Sequence, residues 1–236
     1  RTEMPDILRP RVAPLDVEGR EGTGRKTRVP WVRDFDPTRS PSATNGFYVV
    51  YMYARDGGHV VKSHKQGTTN FVYDQPAWSC SVAVGDGAGM IAGAVYVPPL
   101  DELYSAHAGG GATCNARPIH TSDLGDVSTA LVGTGFGYDR SVRRDQARIV
   151  TRLIGEVRDI RRLGSAAFDL CCVAAGRLDA YFERHLNSWD AAAGELIARE
   201  AGAATTDFAG NQARPEEMLA AAPGVHAAFL AALQAS

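Results

Sequence analysis

The stretch RRLGSAAFDLCCVAAGRLDAYFERHLNSWDAAAG, from Arg161 to Gly194, decides the architecture. Ile160 to Leu163 reads as a short strand, and Gly164 turns the chain. Ser165 to Ala175 is an Ala/Cys/Leu helix stopped by Gly176, because glycine takes the left-handed conformation that closes a helix end. Leu178 to Phe182 has strand character, and Asp190 to Ala201 is a second small-residue helix ending at Gly202. Strand and helix alternate, which predicts layered α and β structure.

Outward from this stretch the same alternation continues. Trp78 to Val84 alternates as a strand does, and the turn Asp86-Gly87-Ala88-Gly89 leads to a second strand, Ile91 to Val97, ended by Pro98-Pro99. Leu103 to Ala106 and Ala130 to Thr134 are further strands. Arg143 to Glu156 carries apolar residues at Ala147, Val150, Leu153 and Ile154, the spacing of a helix. A strand near Leu219 to Ala222 and a helix from Gly224 to Leu233 close the chain. The N-terminal part is different. Six of the twelve prolines fall at or before Pro41, and interior proline removes a helical hydrogen bond, so residues 1–45 read as irregular. Phe47 to Ala54 reads as a strand, with Asp56-Gly57-Gly58 as a turn and His59 to Ser63 as its hairpin partner.

The 236 residues suit one large domain or two small ones sharing a core. The net charge of −2 gives no basic footprint for nucleic acid and no polybasic membrane anchor. Charge is uneven: residues 1–62 hold 11 Lys/Arg against 8 Asp/Glu, the remainder 14 against 19. The four cysteines form no CxxC pair, which argues against a zinc site and predicts free thiols in a reducing cytoplasm.

Four short constellations carry chemistry. Gly67-Thr68-Thr69-Asn70-Phe71 joins a glycine, which lets backbone approach a ligand, to threonines able to open a helix whose amides favour an anion. Its ordinary role is a helix-capping turn. Trp189-Asp190-Ala191-Ala192-Ala193-Gly194 sets a carboxylate in the first turn of a small-residue helix; most such aspartates cap the helix, and the sharper role is a hard oxygen ligand for Mg2+. Glu183 follows a strand seven residues before Asp190; it is either a solvated loop residue or a carboxylate that binds hydroxyls. Leu163-Gly164-Ser165-Ala166-Ala167 is a turn into a helix.

Together these segments resemble the inositol monophosphatase family, which carries D-P-x-D-G-T-x-N-F, a downstream G-[ST]-A-A helix start and W-D-x-A-[AG]-[GA]. This chain has GTTNF at 67–71, GSAA at 164–167 and WDAAAG at 189–194, in that order. GAVYVPPLDELYSAHAGGGATCNARPI (93–119) and RRLGSAAFDLCCVAAGRLDAYFE (161–183) also look like the family. The resemblance covers about residues 67–236 and sets residues 1–66 apart as an atypical N-terminal segment. It implies an αβαβα layered sandwich, a cytoplasmic homodimer, and Mg2+-dependent hydrolysis of an inositol phosphate or similar small polyol phosphate. By resemblance, Gly67, Thr68 and Thr69 seat the phosphate and Thr68 orients the attacking water. Asp190 holds a metal, and Glu183, Ser165 and Ala166 meet the sugar or inositol hydroxyls.

The chain departs from the family where the central aspartates belong: those positions read Ser63-His64-Lys65-Gln66. A second alignment sets Glu18 to Gly24 (EGREGTG) against a family G-E-E-G-T-G and Trp31 to Pro37 (WVRDFDP) against W-V-x-D-P-x-D. It places metal ligands at Glu21, Asp34 and Asp36. Three readings stay open: a divergent phosphatase using those acids, a metal-deficient relative that binds a phosphorylated ligand or a partner without catalysis, or a standard family motif behind a misread N-terminal sequence.

Overall fold

A computed structural model describes residues 77–86 and 88–235 in full, and of the preceding chain the backbone of three strands, Trp31–Asp34, Val49–Tyr53 and Val60–Gln66. The first sheet is an antiparallel meander in chain order: β1 (Trp31–Asp34), β2 (Val49–Tyr53), β3 (Val60–Gln66), β4 (Ser79–Asp86), β5 (Gly89–Val97), β6 (Glu102–His107), β7 (Ala112–Cys114) and β8 (Arg117–Ile119). The hairpin expected after Phe47 is present as β2 and β3, with Tyr53 opposite Val60; its turn lies outside the described residues. The irregular reading of residues 1–45 needs one correction: Trp31–Asp34 is a strand, paired with β2. Its aromatic and β-branched pair, Trp31-Val32, suits a sheet edge whatever the proline content around it.

The second sheet has the order β10-β9-β11-β13-β12, built from β9 (Leu131–Thr134), β10 (Asp159–Arg161), β11 (Ala180–Arg184), β12 (Ala204–Thr206) and β13 (Glu217–Ala221). Strands β10, β9 and β11 are parallel, and β13 runs against both its neighbours. The helices are α1 (Arg140–Leu153), α2 (Ala166–Ala174), α3 (Ser188–Glu200) and α4 (Pro223–Gln234). Helix α1 starts three residues earlier than its apolar spacing suggests, because the Asp139 carboxylate accepts from the Ser141 and Val142 amides and caps it there. Gly176, just past α2, is left-handed with φ 65°, as the sequence leads one to expect.

Alternation along the central strands divides the core. Tyr181, Met218 and Ala220 face α2 and α3, which pack against the inner face of the first sheet. Ala180, Phe182, Leu219 and Ala221 face the other way, against Leu153 of α1 and Val225, Phe229 and Leu233 of α4. Burying Phe182 or Phe229 contributes roughly 1.5–3 kcal/mol each. The described residues thus form four successive layers, β, α, β, α, of the αβαβα sandwich.

Helix α3 can lie between the sheets only because its contacts are small. A Cβ added at Gly194 would sit 2.9 Å from Leu170 Cβ and 3.1 Å from Ala167 Cα of α2. One added at Gly93 of β5 would sit 3.1 Å from Ala193 Cα. The run of alanine and glycine after Asp190 is what admits α3 to this space. All four cysteines are free, with Cys171 and Cys172 buried in α2. Among the described residues, no helix is long and apolar enough to cross a membrane.

Candidate active site

Three parallel strands end on one edge of the second sheet, the usual place for a ligand in such sheets. Strand β9 runs out at Thr134 into Gly135; β10 runs out at Arg161 into the Leu163-Gly164-Ser165 turn that starts α2; β11 carries Glu183 near its end and leads through His185 to α3. His185 takes the left-handed region at φ 64°, turning the chain between Glu183 and Asp190. Both α2 and α3 therefore direct their N-termini to this edge, and their dipoles favour an anion there.

Glu183 is half-buried, with its carboxyl folded over Gly135: a Cβ at that glycine would be 2.0 Å from Glu183 Oε2. Tyr181 lies on the same face of β11, two residues back, and its hydroxyl donates to Glu183 Oε2 at 2.5 Å. Burial pushes the Glu183 carboxyl up to about 7; the Tyr181 hydrogen bond opposes this, the Asp190 charge adds to it, and Arg162 pulls it back down. Asp190 occupies the third position of α3, where Oδ2 accepts from the Asn187 amide at 2.9 Å and from Asn187 Nδ2 at 3.2 Å. It closes a capping box as the N3 partner, rather than as the N-cap, which is Asn187.

Ser165 is the N-cap of α2, its hydroxyl accepting from the Phe168 amide, and Ala166 is the first helical residue. One turn on, Asp169 is 1% exposed. Its carboxyl accepts from the Ser165 and Leu163 amides, yet its Oδ1 has no hydrogen-bond partner. Burial lifts this carboxyl well above the usual range and the Glu183 charge adds to the effect, while Arg162 and the two amides oppose it.

The structure thus gathers Glu183, Asp190, Ser165 and Ala166 at one edge. Gly67, Thr68, Thr69, Glu21 and Asp36 lie outside the described residues, and Asp34 is placed only as the last residue of β1. Ser63 to Gln66 form the second half of β3, paired along their length with β4. Sequence reasoning passed over Tyr181, Gly135, Asp169 and Ser79. Strand alternation puts Tyr181 beside Glu183, and Gly133-x-Gly135-x-Gly137 at a strand end was a visible sign of close approach.

Among the described residues, no three His, Cys, Asp or Glu side chains form a group able to hold a metal ion. Mg2+ needs no such protein cage: it takes one or two carboxylates and completes its shell with substrate oxygens and water. Asp190 is a hard oxygen donor of that kind, so its chemistry is compatible with such an ion.

Residues 66–236 match the model of the inositol monophosphatase family, and residues 1–77 match that of the MrcB-like N-terminal domain. The chain is 46% identical over 175 residues to inositol-1-monophosphatase SuhB of Mycobacterium tuberculosis (strain H37Rv), covering 71% of this chain and 60% of that protein. Among solved structures, it resembles the extragenic suppressor protein suhB of Bartonella henselae at TM-score 0.73 and 33% identity, covering 78% of this chain and 72% of that one. It also resembles the inositol monophosphatase of Anabaena (Nostoc) sp. PCC 7120 at TM-score 0.73 and 34% identity, over 76% of each chain. The chain spans about 60% of the length of the curated mycobacterial relatives it matches.

Proposed function

Because the chain belongs to the inositol monophosphatase family, we propose that it hydrolyses the monoester of a small polyol phosphate, inositol phosphate or a close relative, with Mg2+. The observation that carries this reading is the meeting of Glu183, the Asp190 carboxylate and two helix N-termini at one sheet edge. Asp190 would hold a metal ion, with Glu21, Asp34 and Asp36 as the candidates for its other ligands. The ion's chemistry is to polarise the phosphoryl group and lower the pKa of water.

The chain's own groups do the rest. The Gly67, Thr68 and Thr69 segment follows Gln66, the last residue of β3, in the sequence and would receive the phosphate on its amides, with the Thr68 hydroxyl orienting the attacking water. Glu183, held by Tyr181, would accept hydrogen bonds from polyol hydroxyls, and the Ser165-Ala166 turn would face the same ring. These contacts orient the ester for in-line attack, and orientation is a large share of such catalysis. Residues 1–66 are then an atypical N-terminal segment and residues 67–236 the body, a division that the start of the family match at residue 66 supports. On family likeness the protein is a cytoplasmic homodimer.

Phosphate release from myo-inositol 1-phosphate, with Mg2+ and with EDTA, tests this reading. The result expected is turnover only with the metal; absence of turnover on every sugar or inositol monophosphate tried at millimolar Mg2+ counts decisively against it. One observation favours a second reading. Ser63 and Gln66 are neutral where the family has aspartates, and Lys65 adds a positive charge beside them, which weakens binding of a hard dication. A non-catalytic binder of phosphorylated ligands would show calorimetric binding indifferent to EDTA.

A further inference from the structure

Ser79 is fully buried, although a serine hydroxyl gains nothing from burial unless it is partnered. It is the first residue of β4, opposite Gln66, the last residue of β3. Gly67, the first residue of the phosphate-binding segment assigned above, follows Gln66 in the sequence. The Ser79 side chain reaches away from its own sheet: its Oγ is 2.8 Å from Ser165 Oγ, 86 residues along the chain.

Ser165 is in turn bound from the helix side. Its carbonyl accepts the Asp169 amide at 2.8 Å, and the Asp169 carboxyl accepts the Ser165 and Leu163 amides. Gly164 between them is left-handed, at φ 91°. The Leu163-Gly164-Ser165 turn is therefore held by a buried side chain from each flank, Ser79 from the first sheet and Asp169 from α2. The orphaned Asp169 Oδ1 faces Gly133 of β9, where an added Cβ would lie 3.0 Å away. A buried carboxyl with an unsatisfied oxygen calls for a reason beyond core packing, and the two amides it engages belong to the turn.

We propose that Ser79 and Asp169 are positioning residues that hold the polyol-facing turn at Ser165-Ala166 in fixed register with the paired ends of β3 and β4. This rests on the phosphatase reading above and deepens it: the pair sets selectivity for polyol esters over plain phosphate esters. Removing the Ser79 hydroxyl leaves the Gln66–Ser79 backbone pairing in place, so the paired strand ends keep their frame while the turn loses its tie.

The test compares myo-inositol 1-phosphate with p-nitrophenyl phosphate, which has no polyol hydroxyls. Ser79→Ala and Asp169→Ala should each raise KM for the inositol ester about fivefold or more, the worth of one buried hydrogen bond. Its kcat, and both constants for p-nitrophenyl phosphate, should stay within about twofold. Asp169→Asn keeps a carbonyl acceptor for the two amides and should restore the wild-type KM. Equal losses on both esters, or no change on either, overturn the proposal. Amide hydrogen exchange gives a readout that needs no turnover. Ser79→Ala should speed exchange at Leu163, Ser165 and Phe168 about tenfold, and unchanged exchange overturns the proposal. Wild-type protein inactive on both esters would instead refute the phosphatase reading, leaving the exchange result to judge the tie.

Discussion

Replacing Gly135 by alanine should cost recognition of the polyol while leaving the fold intact. The new Cβ would stand 2.0 Å from Glu183 Oε2 and 2.4 Å from Cδ and Oε1, against an ordinary contact of 3.4 Å or more, so the carboxyl must retreat by roughly 1.4 Å. What it meets is the end of a flexible side chain, which can move, and the backbone at Gly135 does not require glycine's left-handed freedom. Displacing Glu183 breaks the Tyr181 hydrogen bond and takes the carboxylate out of reach of the substrate hydroxyl. A hydrogen bond to a charged group is worth about 1.5–3 kcal/mol, so kcat/KM for myo-inositol 1-phosphate should fall roughly ten- to a hundred-fold. The loss of unfolded-state entropy on Gly→Ala, about 0.4–1 kcal/mol, should offset much of the stability cost and keep the change in Tm to a few degrees. The assay is a double-mutant cycle with Glu183→Ala, read as kcat/KM on both esters. If Gly135→Ala costs as much in the Glu183→Ala background as in wild type, the displacement argument is wrong.

Three further outcomes follow from the same geometry. Asp190→Asn should lower turnover by orders of magnitude while shifting stability by less than about 1 kcal/mol, since an amide oxygen can still accept from Asn187; activity surviving the change would remove Asp190 as the ligand. Gly194→Ala should destabilise by about 1–3 kcal/mol in urea unfolding, because the methyl meets Leu170 Cβ and the Ala167 backbone rather than a movable tip. Glu183 takes up a proton on folding, its value rising from 4.5 to about 7, so its contribution is fully present below pH 4.5 and is lost as pH rises through about 7. In EDTA, the stability difference between pH 5 and pH 8 should be smaller in Glu183→Gln than in wild type by about 2 kcal/mol, after discounting for partial exposure. Asp169, raised in the same direction chiefly by burial, keeps in the variant the part of that slope which the Glu183 charge does not supply.

The body of the fold was legible because its signals are local. Gly176 marks the end of α2, alternation marks β4 and β5, and the Ala-rich run after Asp190 marks a helix that must lie against other backbone. Short strands were not legible: Ala112–Cys114, Arg117–Ile119 and Ala204–Thr206 are each three residues long, too short for periodicity to declare itself. Trp31–Asp34 was hidden by the prolines around it, whose effect on helices says nothing against an edge strand. At the site, Glu183 and Asp190 were visible from their motifs. The neighbours of Ser79 and Gly135 were not, because those contacts are made across the fold, and Asp169 lay unremarked inside an apolar helix. Ser79 and Ser165 are 86 residues apart, and no window along the chain can place one hydroxyl on another.

In the site proposed for Asp190, capping and ligation need not compete. A helix N-terminus stabilises a carboxylate at its third position, and a capping box fixes the rotamer that the carboxylate adopts. The same geometry lowers the ordering cost of presenting a hard oxygen to a cation, since the side chain is already immobilised before anything binds. Glu183 is prepared differently: burial and the Asp190 charge raise its carboxyl, and the Tyr181 hydroxyl fixes one of its oxygens. Two acids near one another thus have unlike surroundings: the Asn187 backbone and side-chain amides hold Asp190 at a helix start, and an enclosing strand end holds Glu183. Under the proposed function, that difference suits Asp190 to a metal ion and Glu183 to a neutral hydroxyl. Exchanging the two surroundings, by Tyr181→Phe on one side and Asn187→Ala on the other, should disturb polyol recognition in the first case and metal affinity in the second. Kinetic constants on the two esters and Mg2+ titration separate the outcomes; a Tyr181→Phe protein with unaltered KM for the inositol ester would show that Glu183 does not depend on that hydroxyl.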